Sequence, residues 1–378
     1  MTRICLVITG LSTGGAEMML LKLLQSMDRV RFTPEVVSLS TLGEIGPRLQ
    51  AMGIPVLALG MRPGRPDARR FWALVRHLRK SAPDVVHTWM YHADLLGGLA
   101  ARLSGVRAVA WGIHQSNLAP AYNKRSTLVV VKVCAWLSRW VPRHIFTCSE
   151  RARSVHVAAG YCADKMVLIA NGFDLTRFVP DAEAYLSVRA ELGLASDTPL
   201  VGVVARDDPQ KNQLGFVQAA AALQAVVPQC HFVLAGQGID ESHKALGQAI
   251  AQAGLQQHFH LLGRREDVPR LMAALDVLAS PSHGEAFPNV LGEAMACGVP
   301  CVVTDVGDSA EIVGDTGRVV TAADMSEMAR QLLAVLQMPT EQRHALGARA
   351  RERVQERYEL GDVTRRYEDF YNRLLSGV

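Results

Sequence analysis

Apolar residues fall along this chain in short β-branched runs, each followed by a turn and then by a stretch whose apolar positions recur every three to four residues. The first such set is the run 4–8, the turn GLSTGG at 10–15 and a helix predicted over 16–27. Further strands are predicted at 35–38, 56–59, 84–87, 108–111, 144–148 and 167–169, with a helix over 93–103. Residues 179–199 are polar, with a short helical stretch and an Asp-Thr-Pro break, and read as a linker. The pattern then restarts. Strands are predicted at 200–205, 231–235, 258–262, 277–279 and 301–304, and helices over 213–226, 268–274 and 289–296, the last stopped by Gly298. Strands alternating with helices imply parallel sheets covered on both faces. Two α/β domains follow, each with its ligand site expected outside the carboxyl ends of its strands.

Charge narrows the partners. The 378 residues carry 40 Lys+Arg against 36 Asp+Glu, a net charge of +4. That excess is too small to imply nucleic acid by itself; it is compatible with anionic small ligands or an anionic membrane surface. The seven cysteines are odd in number and none forms C-x-x-C, which points to a reducing cytosol rather than to disulfides or a zinc ribbon. Cys297 and Cys301, around a Gly-Val-Pro turn, read as small buried hydrophobes. The run 4–8 is too short for a secretory core, and no run reaches the roughly 18–20 apolar residues of a spanning helix. From Glu341 onward the chain is charged and helical, with Tyr358, Tyr367, Phe370 and Tyr371 interleaved. Acidic residues among the basic ones favour a solvated helix with one packed aromatic stripe over an RNA-binding face.

Three loops carry candidate chemistry. In the first, Gly14 and Gly15 open a helix after the first strand, where free amides and the positive dipole end suit an anion such as phosphate; tight strand–helix packing explains the same glycines. In the second, Arg206 and Lys211 share a loop at a strand's carboxyl end. Arg can fork across two phosphate oxygens and Lys act as a point charge, unless both are merely solvated. The third is SPSHGEAFPNVLGEAMACGVP, residues 280–300. Pro288 suits the first helical turn, which leaves Glu285 in the loop before the helix and Glu293 in its second turn. Amides near Phe287, Asn289 and Val290 then face the site. The two carboxylates either complement the helix dipole or accept hydrogen bonds from sugar hydroxyls.

The stretch HGEAFPNVLGEAMACGVPCVVTDVGDSAEIV, residues 283–313, resembles the E-x7-E signature region of retaining GT-B glycosyltransferases of the bacterial group-1 (family-four) type. VLIANGFDLTRF, residues 167–178, is similar to that family's segment before the interdomain linker. The glycine loop and the Arg206/Lys211 loop also stand where the family has theirs, although the basic loop reads Ala-Arg-Asp-Asp, where relatives commonly have Gly-Arg-hydrophobic, and a later turn reads Gly307-Asp308, where a Gly-Gly pair is frequent. The resemblance implies α/β architecture of the GT-B type, two Rossmann-like doubly wound domains facing a central cleft. The limits expected are 1–178 for the acceptor-side domain, 179–199 for the linker, 200–355 for the nucleotide-sugar domain, and 356–378 for a helix packing back on the first domain.

It further implies a metal-independent hexosyltransferase that uses a UDP- or GDP-type sugar as co-substrate and no cofactor. The acceptor would be a glycan or lipid-linked glycan in cell-envelope polysaccharide biosynthesis, exopolysaccharide or lipopolysaccharide, at a cytoplasmic site or on the inner face of the cell membrane. By matching position, Glu285 would contact donor-sugar hydroxyls and Glu293 the ribose. Arg206 and Lys211 would neutralise the diphosphate, and Gly14 and Gly15 would lie against it. Phe287, Asn289 and Val290 would supply backbone contacts. Gly236 and Arg264 would lie near the base, and His114 near the reacting sugar. An inverting reaction would need a general base, for which Asp94 and Asp305 are the candidates. His87 and His92 read more readily as structural histidines, and His283 as a loop cap. A sugar-nucleotide epimerase, an NAD-dependent oxidoreductase and a non-catalytic binder share the two-domain layout; against NAD, no strand leads into G-x-G-x-x-G. The segment 124–143 is basic, amphipathic and Trp-bearing. It suits either a core helix on the first sheet or a helix lying on an anionic leaflet.

Overall fold

Seven parallel strands form the first sheet: β1 (Thr2–Ile8), β2 (Phe32–Ser38), β3 (Val56–Ala58), β4 (Val85–Trp89), β5 (Ala108–Ile113), β6 (His144–Thr147) and β7 (Met166–Leu168). Their order is β3-β2-β1-β4-β5-β6-β7. Ile4, Cys5, Leu6, Val7 and Ile8 are all shielded from solvent, which is why β1 is apolar at five consecutive positions rather than at every second one. Between the strands run α1 (Gly15–Ser26), α2 (Ile45–Ala51), α3 (Ala68–Ser81), α4 (Tyr91–Leu103), α5 (Arg125–Leu137) and α6 (Glu150–Ala158). Asp67 caps α3 by accepting from the Arg70 amide, and Ser149 caps α6 by accepting from the Ala152 amide. The computed structural model describes residues 1–62 and 67–376.

The second sheet has six strands: β8 (Leu200–Val204), β9 (His231–Ala235), β10 (Phe259–Leu261), β11 (Val277–Ser280), β12 (Cys301–Thr304) and β13 (Arg318–Val320). Their order, β10-β9-β8-β11-β12-β13, repeats the doubly wound plan of the first sheet. The helices are α7 (Ala182–Glu191), α8 (Gln213–Gln224), α9 (Lys244–Gln252), α10 (Val268–Ala273), α11 (Asn289–Ala296), α12 (Ser309–Val313), α13 (Met325–Leu336) and α14 (Thr340–Tyr358). A last helix, α15 (Leu360–Ser376), carries the chain back to the first unit.

The two units divide at 172/173 and again at 359/360. Residues 173–178 therefore belong to the second unit, where Phe173 is fully buried and stacks with Phe287 at 6.1 Å. Nor are residues 179–199 a linker. They hold α7, capped by Asp181, and its Arg189 is buried against Asp276 at 2.6 Å. The segment reads as polar because its charge is matched by a partner far along the chain. The returning helix starts at Leu360 rather than at 356. Its Tyr367, Phe370, Tyr371 and Leu374 join the same core as Leu20 and Leu24 of α1. The seven cysteines are free, Cys297 and Cys301 both buried. No helix among the described residues is long and apolar enough to cross a membrane.

Candidate active site

In the second sheet β8 pairs with β11, and the strand order runs outward in both directions from that pair. The loops leaving their carboxyl ends, 205–212 and 281–288, thus lie at the switch point where doubly wound sheets bind ligands. Several bonds stitch them together. Lys211 Nζ donates to Glu285 Oε1 at 2.6 Å, and Ser282 Oγ donates to the same oxygen at 2.7 Å. The His283 amide donates to the Gln210 carbonyl at 2.7 Å, and Asn212 Nδ2 to the Pro281 carbonyl at 3.1 Å. The Glu285 side chain is only 9% exposed and that of Lys211 23%; two donors converging on one oxygen offset the burial of the carboxylate. Lys211, Ser282, Glu285 and Val290 line a small depression beneath these loops.

Two more loops close around this pair. Gly307, in the turn after β12, has φ +58, and a Cβ there would stand 2.5 Å from the Glu285 carbonyl oxygen, so only glycine fits. The Asp308 amide donates to the Ala286 carbonyl at 3.0 Å. On the other side Gly236 lies against the Ala205 carbonyl, while the Asp207 amide donates to Gln237 and the Gly236 amide to Gly263. The loops after β8, β9 and β10 therefore stand abreast. Arg206 projects from this edge, 57% exposed and paired with Asp208 at 2.7 Å. Arg264 pairs with Glu266 at 3.4 Å. Its neighbour Arg265 is held by Asp267 and Glu191, which gives it a structural tie.

Helix α11 begins at Asn289. Pro288 stands at its N-cap, one position before the expected first turn, and no side chain caps the helix. Asn289 and Val290 thus carry first-turn amides, of the kind that has no partner within a helix. The Phe287 ring turns into the core beside Phe173 and Tyr358, so this residue can offer a ligand only its backbone. Glu293 follows in the second turn, half-buried. Gly292, between them, is hydrogen-only because the Phe173 ring would lie 2.1 Å from a Cβ.

Gly14, Gly15 and His114 belong to the first unit, at the carboxyl edge of its sheet. Gly14 is the extended N-cap of α1. A Cβ on it would stand 2.4 Å from Glu17 Oε2. The chain's own carboxylate therefore sits at the helix start where an external anion was expected, and a phosphate there would have to share or displace it. His114 stacks on Trp89, ring centroids 4.3 Å apart and 10° from parallel. Both of its ring nitrogens are shielded and lack a hydrogen-bond partner among the described residues. Burial pushes its pKa down to about 3, so the ring is neutral and one nitrogen is a donor, the other an acceptor.

Asp94 is no general base for an acceptor: it is fully buried, and its Oδ1 accepts from Thr88 Oγ1 at 2.5 Å and from the Gly112 amide at 3.3 Å. It props β5, the strand that leads into His114. Asp305 is exposed. His87 is buried and bonded through Nδ1 to Tyr371 Oη at 2.8 Å, a structural tie to α15. Ser282, Asn212 and Trp89 were not singled out from sequence. A hydroxyl three positions before a loop glutamate was a readable signal for Ser282; nothing in the sequence paired Trp89 with His114. Among the described residues no group of three or more His, Cys, Asp or Glu is placed to hold a metal ion.

Residues 13–177 match the family described as Glycosyltransferase Family 4, and residues 187–353 match Glycosyl transferases group 1. The chain is 29% identical over 250 residues to the UDP-Gal:alpha-D-GlcNAc-diphosphoundecaprenol alpha-1,3-galactosyltransferase of Escherichia coli, covering 64% of this chain and 62% of that one. Over 177 residues it is 32% identical to the lipopolysaccharide core biosynthesis mannosyltransferase LpsB of Rhizobium meliloti, covering 45% of this chain and 50% of that one. The matches thus span less than two thirds of the length of either relative. The crystal structure of Anabaena Alr3699/HepE in complex with UDP and glucose has the same fold, with a TM-score of 0.87 at 23% identity and full coverage of both chains. Both halves carry Rossmann-like sheets of GT-B type, and both match their respective families in order along the chain. This chain belongs to the group-1 glycosyltransferases.

Proposed function

We propose that this chain is a retaining, metal-independent hexosyltransferase. It would move a sugar from a UDP- or GDP-sugar to a lipid-linked or oligosaccharide acceptor in cell-envelope polysaccharide synthesis, at the cytoplasmic face. The observation that carries this reading is Lys211 and Ser282 converging on Glu285 beside the uncapped start of α11. Breaking the anomeric bond leaves negative charge on the departing diphosphate. Lys211, Arg206 and the first amides of α11 are fixed positive groups at one edge of one sheet, suited to stabilise that charge more in the transition state than in the ground state. Glu285, the Lys211 partner, is the acceptor for sugar hydroxyls, with Glu293 for the ribose. Gly236 and Arg264 border the space for the base. His114, neutral, offers a ring nitrogen to the sugar. Burial of Asp94 removes one general base that inversion would use, which supports retention. The E. coli relative's name specifies a diphosphoundecaprenol acceptor and that of LpsB lipopolysaccharide core, which supports the acceptor class.

The test is incubation with UDP- and GDP-hexoses, with and without a lipid-linked sugar acceptor, while nucleotide release is followed and the product's anomeric proton is read by NMR. Release that depends on acceptor, with the donor's anomeric configuration kept, is the expected result. Conversion of the donor sugar without acceptor would show an epimerase, and binding without release a non-catalytic protein.

A further inference from the structure

Helix α5 has two apolar faces, and only one is used. Val131, Cys134 and Ala135 are buried beneath it in the core that also takes residues of α3 and α4. On the opposite side Val129, Val133 and Trp136 recur at spacings of four and three, one stripe along the helix, and Trp140 stands in the turn just after it. They are 60%, 37%, 65% and 58% exposed. The two indole rings meet edge to face at 5.1 Å, so the stripe ends in a paired aromatic knob. Lys124, Arg125, Lys132 and Arg139 are all exposed beside it, and no acidic residue occurs anywhere in 124–143.

We propose that this face of α5 docks on an anionic lipid bilayer. Tryptophan combines an apolar ring with an N–H donor and settles at the headgroup level, where valines reach the acyl boundary and lysines and arginines meet lipid phosphates. The charge pattern decides between occupants. A second copy of this chain laid on the same stripe would bring like-charged segments together with no carboxylate to separate them, whereas a negatively charged surface complements every charge in the segment. The start of α5 follows the loop that His114 opens at the carboxyl edge of the sheet, and its end leads into β6 at the amino edge. The stripe therefore runs back from the carboxyl edge toward the amino edge of the first sheet, and a lipid-linked acceptor in the same leaflet would be held alongside that unit. The purpose rests on the transfer reading; the docking itself does not.

The experiment is flotation of the full chain with phosphatidylcholine vesicles, with and without phosphatidylglycerol, together with turnover of a water-soluble acceptor by the same preparations. Wild type is expected to float with the anionic vesicles only, and less at high salt. The double variant Trp136→Ser/Trp140→Ser, with an unchanged thermal melt and unchanged soluble turnover, is expected to bind those vesicles at least about tenfold more weakly. Lys132→Glu/Arg139→Glu is expected to abolish the preference for anionic lipid. Wild type that stays with the soluble fraction, a Trp variant that floats as well as wild type, or a wild-type dimer that the Trp variant dissolves would each overturn the docking. Vesicle binding without any turnover would overturn the transfer reading alone.

Discussion

Lys211 and Glu285 stand 74 positions apart in the chain, yet a 2.6 Å bond joins them. Their chemical types were readable from sequence: a basic loop after one strand and a glutamate before a helix. Their partnership was not, because it depends on β8 and β11 being sheet neighbours. Lys211→Ala removes a fixed cation from the charge that develops on the leaving group, and we expect kcat/KM to fall about 100-fold, measured as nucleotide release under steady-state conditions; a change under threefold would speak against the assignment. His156 makes a second residue-scale case. Its Nδ1 donates to the Ala152 carbonyl at 2.7 Å and its Nε2 accepts from Tyr91 Oη at 2.8 Å. Burial holds it at about 4, below the ordinary value of about 6.5. The unfolded chain therefore binds a proton that the folded chain refuses between those two values. The stability is present in full above pH ~6.5 and is lost as the pH falls toward 4. Burial lowers His87 and His114 as well, so their effects have the same sign. Calorimetry from pH 7 to pH 5 should show a falling Tm, and His156→Gln should lower Tm at pH 7 while flattening that slope.

Elements were legible where burial imposed a period. Strands buried on both faces are continuous apolar runs, and those at β1, β8 and β11 stand out for that reason. Strand β13 reads Arg-Val-Val with only Val320 buried, too weak an apolar run to register. Helix α7 reads from sequence as part of a linker because its apolar stripe is thin: Ala184 and Val188 alone among its aliphatic residues are buried. What holds it is Arg189, which donates to Asp276 at 2.6 Å and to the Ala274 carbonyl at 2.8 Å, with the Tyr185 ring 3.5 Å from its guanidinium carbon. Arg189→Ala leaves the buried Asp276 with Arg343, at 3.3 Å, as its remaining cation, and a loss of about 1–3 kcal/mol is expected; chemical denaturation followed by circular dichroism would measure it, and no measurable loss would mean that water replaces the arginine. At the start of α11 the sequence reads Pro288 as part of the first turn and the structure places it at the cap, a shift of one residue that makes Asn289 and Val290 the first residues of the helix.

At the scale of the whole molecule the chain makes two α/β units and then sends α15 back to the first. Val363, Tyr367, Phe370, Tyr371 and Leu374 are each at most 4% exposed, and Tyr371 bonds to His87 in β4. Truncation after Glu359 would open that core, and we expect the shortened protein to lose the thermal transition of the first unit and to be cut there by trypsin, while Phe173–Glu359 stays resistant; a truncated chain with both transitions intact would refute this. By itself the sequence determined the fold class, the two-unit plan, the family and the residue types of the site. Each of these is written locally, in the period of apolar residues and in loops a few residues long. Only the tertiary structure decided that Glu17 occupies the first helix start, that Asp94 is walled in, that Arg189 is core rather than linker, and that α5 leaves two tryptophans bare. Those facts depend on which distant segments meet, and no local pattern of charge or hydrophobicity encodes the partner that buries a group or leaves it open to solvent.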